Sequence, residues 1–288
     1  MITIRLSELS LKFIILNLKK IFLIIILFMF FLIKPSAISQ TKPLYVYFYS
    51  SETNINNYKS LKMEFDKYLS KYGEYEFQPF ERREDFEEYI KNKNNCLILL
   101  SSWHYSNIFK NYSLKPILVG VQNNKCTQKR ILVGNEKSGS IETAMKGPIA
   151  SSSNEEYSRD MLKLMFPQQE MADKVRILSV PKDIDALMSV SFNMAKAGLS
   201  TENMLNNLKS IDPILSKKIK TLAEGKDTFL TIVAMPEKFT ENLEKIISVI
   251  KNLPNDSLGL NIIKSLNLDS WKPLESSDKI TLEEYNRR

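Results

Sequence analysis

The chain has 288 residues, of which 43% are hydrophobic and 25% are charged, and its formal net charge at pH 7 is +7. Residues 1–39 carry five of the 40 basic side chains and one of the 33 acidic ones, so the remainder has a net charge of only +3. This weak excess gives no indication of nucleic-acid binding, which calls for a clustered basic face. Two cysteines and one histidine are also too few for a metal site of the usual composition.

The first 39 residues are predicted to be a secretory signal peptide. Two lysines precede an apolar run at 21–33, and a small-x-small cleavage site follows at 37–39. The run is shorter than the roughly 20 residues that a membrane-spanning helix needs. We therefore expect an exported protein of about 249 residues. An uncleaved N-terminal membrane anchor is the alternative.

The two cysteines, Cys96 and Cys126, lie 30 residues apart. In an oxidising compartment they could form a disulfide, which would add about 3–4 kcal/mol of stability for a loop of that size. Two buried free thiols are the alternative, because the sequence does not show whether their Cα atoms come within disulfide range. Both states stay open at this point.

From Lys42 onward, β-prone runs alternate with segments whose apolar residues recur at helical spacing. The run at 96–100 is continuously apolar, as is typical of a buried parallel strand. Repeated βα units with short connections predict an α/β fold. In this half of the chain, strands are predicted at 44–49, 75–80, 96–100 and 116–121, and helices at 55–72 and 83–91.

A second series of elements follows the polar stretch 122–129. Strands are predicted at 130–133, 149–150, 175–180 and 229–235, and helices at 140–145, 155–165, 184–190, 202–209, 211–222, 241–252 and 257–265. The order predicts two lobes, each a helix-flanked and mostly parallel sheet. Lobe 1 would comprise 43–125 and 226–288, lobe 2 would comprise 128–222, and the two crossings near 122–130 and 222–230 would form a hinge.

Serines follow three of the predicted strands. They are Ser50 and Ser51, Ser101 and Ser102, and Ser151–Ser153, the last of which precede a charged helix. In open parallel sheets, ligands bind at the carboxyl ends of strands, and a helix N-terminus offers unpaired N–H groups and a positive dipole end to an anion. The pattern predicts a hydroxyl-lined cleft. The alternative for the triplet is that one serine caps the helix and the others fill a loop.

The segment from Ile149 to Asn154 resembles the anion-binding loop of the phosphate/phosphite/phosphonate-binding proteins of ABC importers, which have the type-2 periplasmic-binding fold. The resemblance extends over nearly the whole chain after residue 39. The segment 42–47 is similar to the first strand of that family, 65–69 to its first helix, 96–105 to a strand with a cleft tyrosine, and 181–190 to the stretch before a later strand.

The resemblance implies a monomeric, periplasmic solute-binding protein without a cofactor. Its two lobes would close on a small oxyanion of the phosphate, phosphite or phosphonate class and deliver it to an ABC permease. Three candidate residues also have ordinary structural interpretations: Tyr105 as a packing aromatic, Lys182 as a solvated lysine, and Asp183 as a first-turn helix carboxylate. The candidate ligand-binding residues are Ser50, Ser51, Ser101, Ser102, Tyr105, Ser151, Ser152, Ser153, Lys182 and Asp183.

The sequence departs from the family pattern at three places. Cys96 replaces an Asp before the third strand, and the His that precedes the last helix of lobe 2 has no counterpart. Lys196 replaces an Asp that can face a ligand amine. A cation at that place would repel the amine, so the sequence argues against an aminophosphonate and leaves phosphate, phosphite or another small oxyanion open.

Two function classes other than transport are considered, a sensor or interaction protein and an enzyme. A sensor or interaction protein on the same scaffold, held at the membrane by an uncleaved N-terminus, is the main alternative. An enzyme is disfavoured because His104 has no Ser–His–Asp arrangement around it and because no thiol is marked as activated. The sequence therefore predicts a binding protein rather than an enzyme.

Overall fold

A computed structural model describes residues 43–52, 57–166, 170–240 and 242–284. The predicted signal peptide and its cleavage site lie outside these residues. Within the described ranges, no helix has both the length and the apolar character needed to span a membrane. Residues 43–284 belong to a single compact unit.

The first sheet has six strands in the order β11-β4-β10-β3-β1-β2. β1, β2 and β3 are parallel, whereas β10 runs antiparallel to both β3 and β4, and β11 runs antiparallel to β4. The strands are β1 (Leu44–Phe48), β2 (Tyr75–Pro79), β3 (Cys96–Leu100), β4 (Leu114–Val121), β10 (Ile232–Pro236) and β11 (Ser270–Pro273).

Helices cover both faces of this sheet because its central strands are apolar on both sides. In β3, Leu97 and Leu99 join one core cluster and Ile98 and Leu100 the other, as the alternation of side chains along a strand requires. The helices that pack on the side of Leu97 and Leu99 are α1 (Tyr58–Leu69), α9 (Leu243–Lys251) and α10 (Ser257–Ser265). Those that pack on the side of Ile98 and Leu100 are α2 (Arg83–Ile90), α3 (Ser102–Ile108) and α11 (Ser276–Glu284).

The second sheet has five strands in the order β7-β6-β8-β5-β9. β6, β7 and β8 are parallel, and β5 is antiparallel to β8 and β9. The strands are β5 (Thr127–Asn135), β6 (Ile149–Ser151), β7 (Ile177–Ser179), β8 (Ala197–Thr201) and β9 (Ile219–Phe229), and the helices are α4 (Ile141–Met145), α5 (Glu155–Met165), α6 (Asp183–Ser191), α7 (Glu202–Ile211) and α8 (Pro213–Ser216).

The predicted α/β, two-sheet fold class is confirmed, although both sheets are mixed rather than mostly parallel. The chain leaves the first sheet after β4 and returns with β10, close to the crossings that the sequence predicts. We call the first sheet with its helices the first lobe, and the second sheet with its helices the second lobe. The exact lobe boundaries and a hinge motion at the crossings remain predictions.

One predicted helix is wrong. The segment 211–222 contains the end of α7, the one-turn helix α8 and the beginning of β9. Pro213 keeps Asp212 out of the helical conformation and so ends α7, and the Asp212 side chain then caps the one-turn helix α8. Three further elements of the first lobe, α3, β11 and α11, were not predicted.

Candidate ligand site between the two lobes

The serines that follow β1 and β3 meet at the carboxyl edge of the first sheet. The hydroxyls of Ser51 and Ser101 lie 2.8 Å apart, and Ser101 caps α3 by accepting from the His104 N–H at 3.1 Å. Ser102 donates to the carbonyl of Phe229 at 2.6 Å. Ser50 is half-buried, whereas Ser51, Ser101 and Ser102 are buried. The structure therefore brings two of the three serine groups together within one lobe.

The serine triplet lies at the carboxyl end of β6, but none of its members caps α5. That cap is Asn154, whose side chain accepts from the Tyr157 N–H at 2.8 Å. Ser151 is fully buried, and its hydroxyl accepts from the Ser153 N–H at 3.2 Å and from the Ser158 hydroxyl at 2.9 Å. The interpretation of one serine as a helix cap is therefore wrong, because Asn154 takes that role.

The triplet loop contacts the segment after β1, so the serine groups of the two lobes face each other. The Asn154 N–H donates to the Ser51 carbonyl at 3.0 Å, and the Asn154 amide donates to the Tyr49 hydroxyl at 2.8 Å. Ser153 donates from its hydroxyl to the Glu52 carbonyl at 2.9 Å. These three bonds cross between the lobes directly, at the carboxyl ends of β1 and β6.

A buried arginine, Arg130 of β5, lies beside this contact and is not among the residues predicted from the sequence. Only 1% of its surface is exposed. Its Nη1 donates to both carboxylate oxygens of Asp183, its Nε donates to the Tyr157 hydroxyl at 3.2 Å, and its Nη2 donates to the Glu52 carbonyl at 3.2 Å. Burial is the largest single influence and would lower its pKa, but Asp183, Tyr157 and Glu52 together outweigh burial and raise it. Arg130 is thus a fixed cation at the centre of the cluster.

Glu52 completes the cluster from the side of the first lobe. Its Oε2 lies 3.6 Å from Arg130 Nη2 and accepts from the side-chain amide of Gln128, while its buried Oε1 has no hydrogen-bond partner among the residues that the structure describes. Burial raises the pKa of Glu52, Arg130 lowers it, and Asp183 raises it further, with a net upward shift. A buried carboxylate oxygen without a donor is costly, and such a position is typical of a functional site.

Of Glu52, Arg130 and Asp183, only Asp183 is among the site residues predicted from the sequence. It begins α6, and besides Arg130 it accepts from the Ser152 hydroxyl at 2.5 Å. The backbone carbonyl of Asp183 accepts from the Ser200 hydroxyl at 3.0 Å. Ser200 is fully buried near the carboxyl end of β8, and it too was missed. The second-lobe half of the site is therefore Ser151–Ser153, Arg130, Asp183 and Ser200.

Other residues singled out from the sequence lie elsewhere. Tyr105 is fully buried in the core of the first lobe, where its hydroxyl donates to the Leu114 carbonyl at 3.2 Å and its ring stacks on Phe109. Lys182 is exposed just before α6. Lys196 is exposed at the amino end of β8, whereas Ser151 lies at the carboxyl end of the neighbouring parallel strand β6. The repulsion expected between Lys196 and a ligand amine therefore finds no support in its position.

A second polar cluster joins the lobes beside the first. Arg83 of α2 bonds Glu87 on its own helix at 2.6 Å and Glu156 of α5 in the other lobe. Trp103 of α3 packs edge-on against Tyr157 in the core of the second lobe, with ring centroids 5.4 Å apart. His104 Nε2 lies 2.8 Å from Glu87 Oε1. The lobes therefore meet through apolar as well as charged contacts.

Both cysteines are free thiols. Cys96 is buried in the first-lobe core, and Cys126 is half-buried beside the same core cluster. Of the two states that the sequence leaves open, the structure shows the reduced one. Among the described residues, no group of three or more His, Cys, Asp or Glu side chains is placed to hold a metal ion.

No protein-family model matches this sequence, and no curated protein matches it. Several solved structures share its fold. A binding protein component of an ABC phosphonate transporter from Pseudomonas aeruginosa has 10% identity and a TM-score of 0.60, over 85% of this chain and 87% of that one. PhnD1 from Prochlorococcus marinus in complex with methylphosphonate has 15% identity and a TM-score of 0.57, over 85% and 97%.

A third similar structure is a Xanthomonas citri protein bound to ATP, with 12% identity and a TM-score of 0.60, over 85% of this chain and 95% of that one. At these identities the likeness concerns the fold alone. The chain therefore has the two-lobed α/β fold of periplasmic binding proteins. The site between its lobes combines a serine loop, a buried arginine and two buried or nearly buried carboxylates.

Proposed function

We propose that this chain is a periplasmic solute-binding protein whose lobes close on a small oxyanion and present it to an ABC permease. The observation that carries the proposal is the position of Arg130, a fully buried cation beside the serine loop and between the two lobes. An arginine is the side chain best suited to planar, bidentate recognition of an oxyanion. The fold and the site thus support ligand capture rather than catalysis.

The serine loop supplies the remaining hydrogen-bond donors. Ser152 and Ser153 are buried, and their hydroxyls now donate to Asp183 and to the Glu52 carbonyl. A small rotation of each hydroxyl would redirect it to a ligand oxygen without moving the backbone. The oxyanion that we propose belongs to the phosphate, phosphite or phosphonate class. Methylphosphonate bound to the similar Prochlorococcus marinus protein supports this class.

Isothermal titration calorimetry tests the proposal directly. Phosphate, phosphite and methylphosphonate are each titrated into the chain lacking residues 1–39, and at least one of them is expected to bind. Ser152→Ala should weaken that binding by roughly ten- to a hundredfold, the value of one hydrogen bond to a charged group. Ser138→Ala, at an exposed serine remote from the site, serves as a matched control. The absence of heat with all three anions would refute the oxyanion proposal.

A sensor or interaction protein on the same scaffold is the second candidate, and one observation favours it. The lobes already make direct contacts through Asn154, Ser153 and Arg83, so their contact does not depend on a bridging ligand. Mass spectrometry of the exported protein distinguishes the two candidates. An N-terminus at Gln40 supports a released receptor, whereas retention of Met1 supports a membrane-anchored sensor.

A further inference from the structure

We infer that the Glu52 carboxylate is an internal occupant of the oxyanion site, and that a solute binds by replacing it. This inference rests on the proposed function and concerns the same site. It assigns Glu52 a role in selecting the ligand, because only an anion that offers Arg130 and the serine loop better partners than Glu52 can displace it.

The first argument is position. Glu52 enters from the first lobe, yet its side chain lies among residues of the second. Its Oε2 is 3.6 Å from Arg130 Nη2 and accepts from Gln128 of β5. Its carbonyl accepts from both Arg130 and Ser153. A residue of one lobe thus fills the space in front of the cation and the serine loop of the other.

The second argument is charge. In its ionised form Glu52 adds a second negative charge to that of Asp183, against the one positive charge of Arg130. An added anion would face a net negative cluster, because Asp183 already compensates Arg130 with two hydrogen bonds. If the Glu52 side chain leaves, the remaining Arg130–Asp183 pair has no net charge, and Arg130 Nη2 can donate to an incoming anion. The cluster therefore cannot hold both Glu52 and an oxyanion without repulsion at short range.

The third argument is that Glu52 is a poorly satisfied occupant. Within the described part of the chain, its buried Oε1 has no hydrogen-bond partner, although buried carboxylate oxygens normally accept at least one bond. A tetrahedral oxyanion has more acceptor oxygens and could meet the Ser152 and Ser153 hydroxyls as well as Arg130. An occupant that leaves one oxygen unsatisfied is exchanged more readily than one with complete hydrogen bonding.

Glu52→Gln is the sharpest test, since it removes the charge and keeps the shape. Phosphate and methylphosphonate are titrated by calorimetry into wild type, Glu52→Gln and Glu52→Ala, with circular dichroism to check folding. We expect both variants to bind at least tenfold more tightly than wild type. Glu237→Gln removes the same charge from an exposed position in the first lobe, and it should leave the affinity unchanged.

Each outcome decides a different question. If wild type binds and the Glu52 variants bind equally or more weakly, Glu52 is not a competing occupant, while the proposed function stands. If the variants bind and wild type does not, both the inference and the proposed function are supported. If no protein binds either anion, the proposed function fails, and the inference fails with it. A gain of affinity in Glu237→Gln as well would show a general charge effect and overturn the specific role of Glu52.

Discussion

Arg130 donates from Nη1 to both carboxylate oxygens of Asp183, at 3.0 and 3.1 Å. This pair links β5 to the first turn of α6 inside the second lobe. Because one amino group of the guanidinium is used in this way, the other points across the interface to the Glu52 carbonyl. The Asp183 carboxylate therefore orients Arg130 for contact with the first lobe, a role that no local sequence pattern reveals.

Substitution of Arg130 should destabilise the protein. Arg130→Lys keeps the charge, but a lysine cannot donate to the Asp183 carboxylate, the Glu52 carbonyl and the Tyr157 hydroxyl at once. Some of these buried acceptors therefore lose their donor. We expect a loss of about 3 kcal/mol in the free energy of unfolding, measured by urea titration with tryptophan fluorescence. Arg82→Lys, at a side chain that is 69% exposed, should change that free energy by less than about 0.5 kcal/mol. Equal effects of the two substitutions would contradict the inference that the buried hydrogen bonds of Arg130 stabilise the protein.

The hydrogen bond between Asn154 and Tyr49 should couple the two lobes. Asn154→Asp keeps the helix cap and removes the amide donor, whereas Asn154→Ala removes both. We expect Asn154→Ala to cost about 1 kcal/mol more than Asn154→Asp, the usual value of a cap. A double-mutant cycle of Asn154→Ala with Tyr49→Phe should give a coupling energy of about 1 kcal/mol, because the lost helix cap contributes equally with and without the Tyr49 hydroxyl and cancels. Strict additivity would mean that this bond does not contribute in solution.

Stability should fall as the solution is acidified. Burial would raise the pKa of Glu87, but hydrogen bonds from His104 and Arg83 outweigh burial and lower it to about 2. Burial lowers the pKa of His104, and Glu87 only partly offsets this. Both groups thus have lower pKa values in the folded chain than in the unfolded chain. Their stabilisation is complete above the unfolded values and is lost as pH falls below them.

The resulting loss is measurable by urea unfolding across a pH series. We expect the free energy of unfolding to decrease from about pH 7 downward, with about 2 kcal/mol of the loss between pH 5 and 2 arising from Glu87. In Glu87→Gln that lower segment should largely disappear. The groups packed around the pair include Arg83, Tyr112 and the Glu156 carboxylate. A profile that rises on acidification would contradict the assigned pKa directions.

The two thiols should differ in reactivity. Burial raises the pKa of Cys96 to about 12, and its side chain lies within a packed core. Cys126 is only half-buried. A thiol reagent should modify Cys126 in the native protein and Cys96 only after unfolding, giving one and then two modified sites by mass spectrometry. Protein purified from an oxidising compartment that shows no reactive thiol after unfolding would instead contain the disulfide.

Strands with continuous apolar runs could be predicted from the sequence. β3 at Cys96–Leu100 and β6 at Ile149–Ser151 lie almost where the pattern puts them. The edge strand β9 could not, because its sequence is charged and its apolar residues recur at helical spacing into Leu222. Only pairing with β5 makes this segment a strand, and that pairing joins residues about 90 apart in sequence. Polar edge strands carry little local signal, since exposed charges are common there.

The site was predicted in part. The serine triplet and Asp183 could be found because they stand next to a strand end or a helix start. Arg130 and Glu52 could not, because each looks like an ordinary surface residue and its burial depends on the other lobe. Tyr105 shows the reverse difficulty, since its place after β3 suggested a ligand contact and the helix turn instead directs its ring into the core.

β10 lies between β3 and β4 in the first sheet, yet it is synthesised after the whole of the second sheet. β3 and β4 are therefore separated by a gap one strand wide until Ile232–Pro236 arrives, since each strand pairs with β10 and not with the other. The second lobe has no such requirement, because its five strands are contiguous in sequence from Thr127 to Phe229. Because the ribosome releases the N-terminal part of a chain first, the second lobe can complete its sheet before the first lobe can.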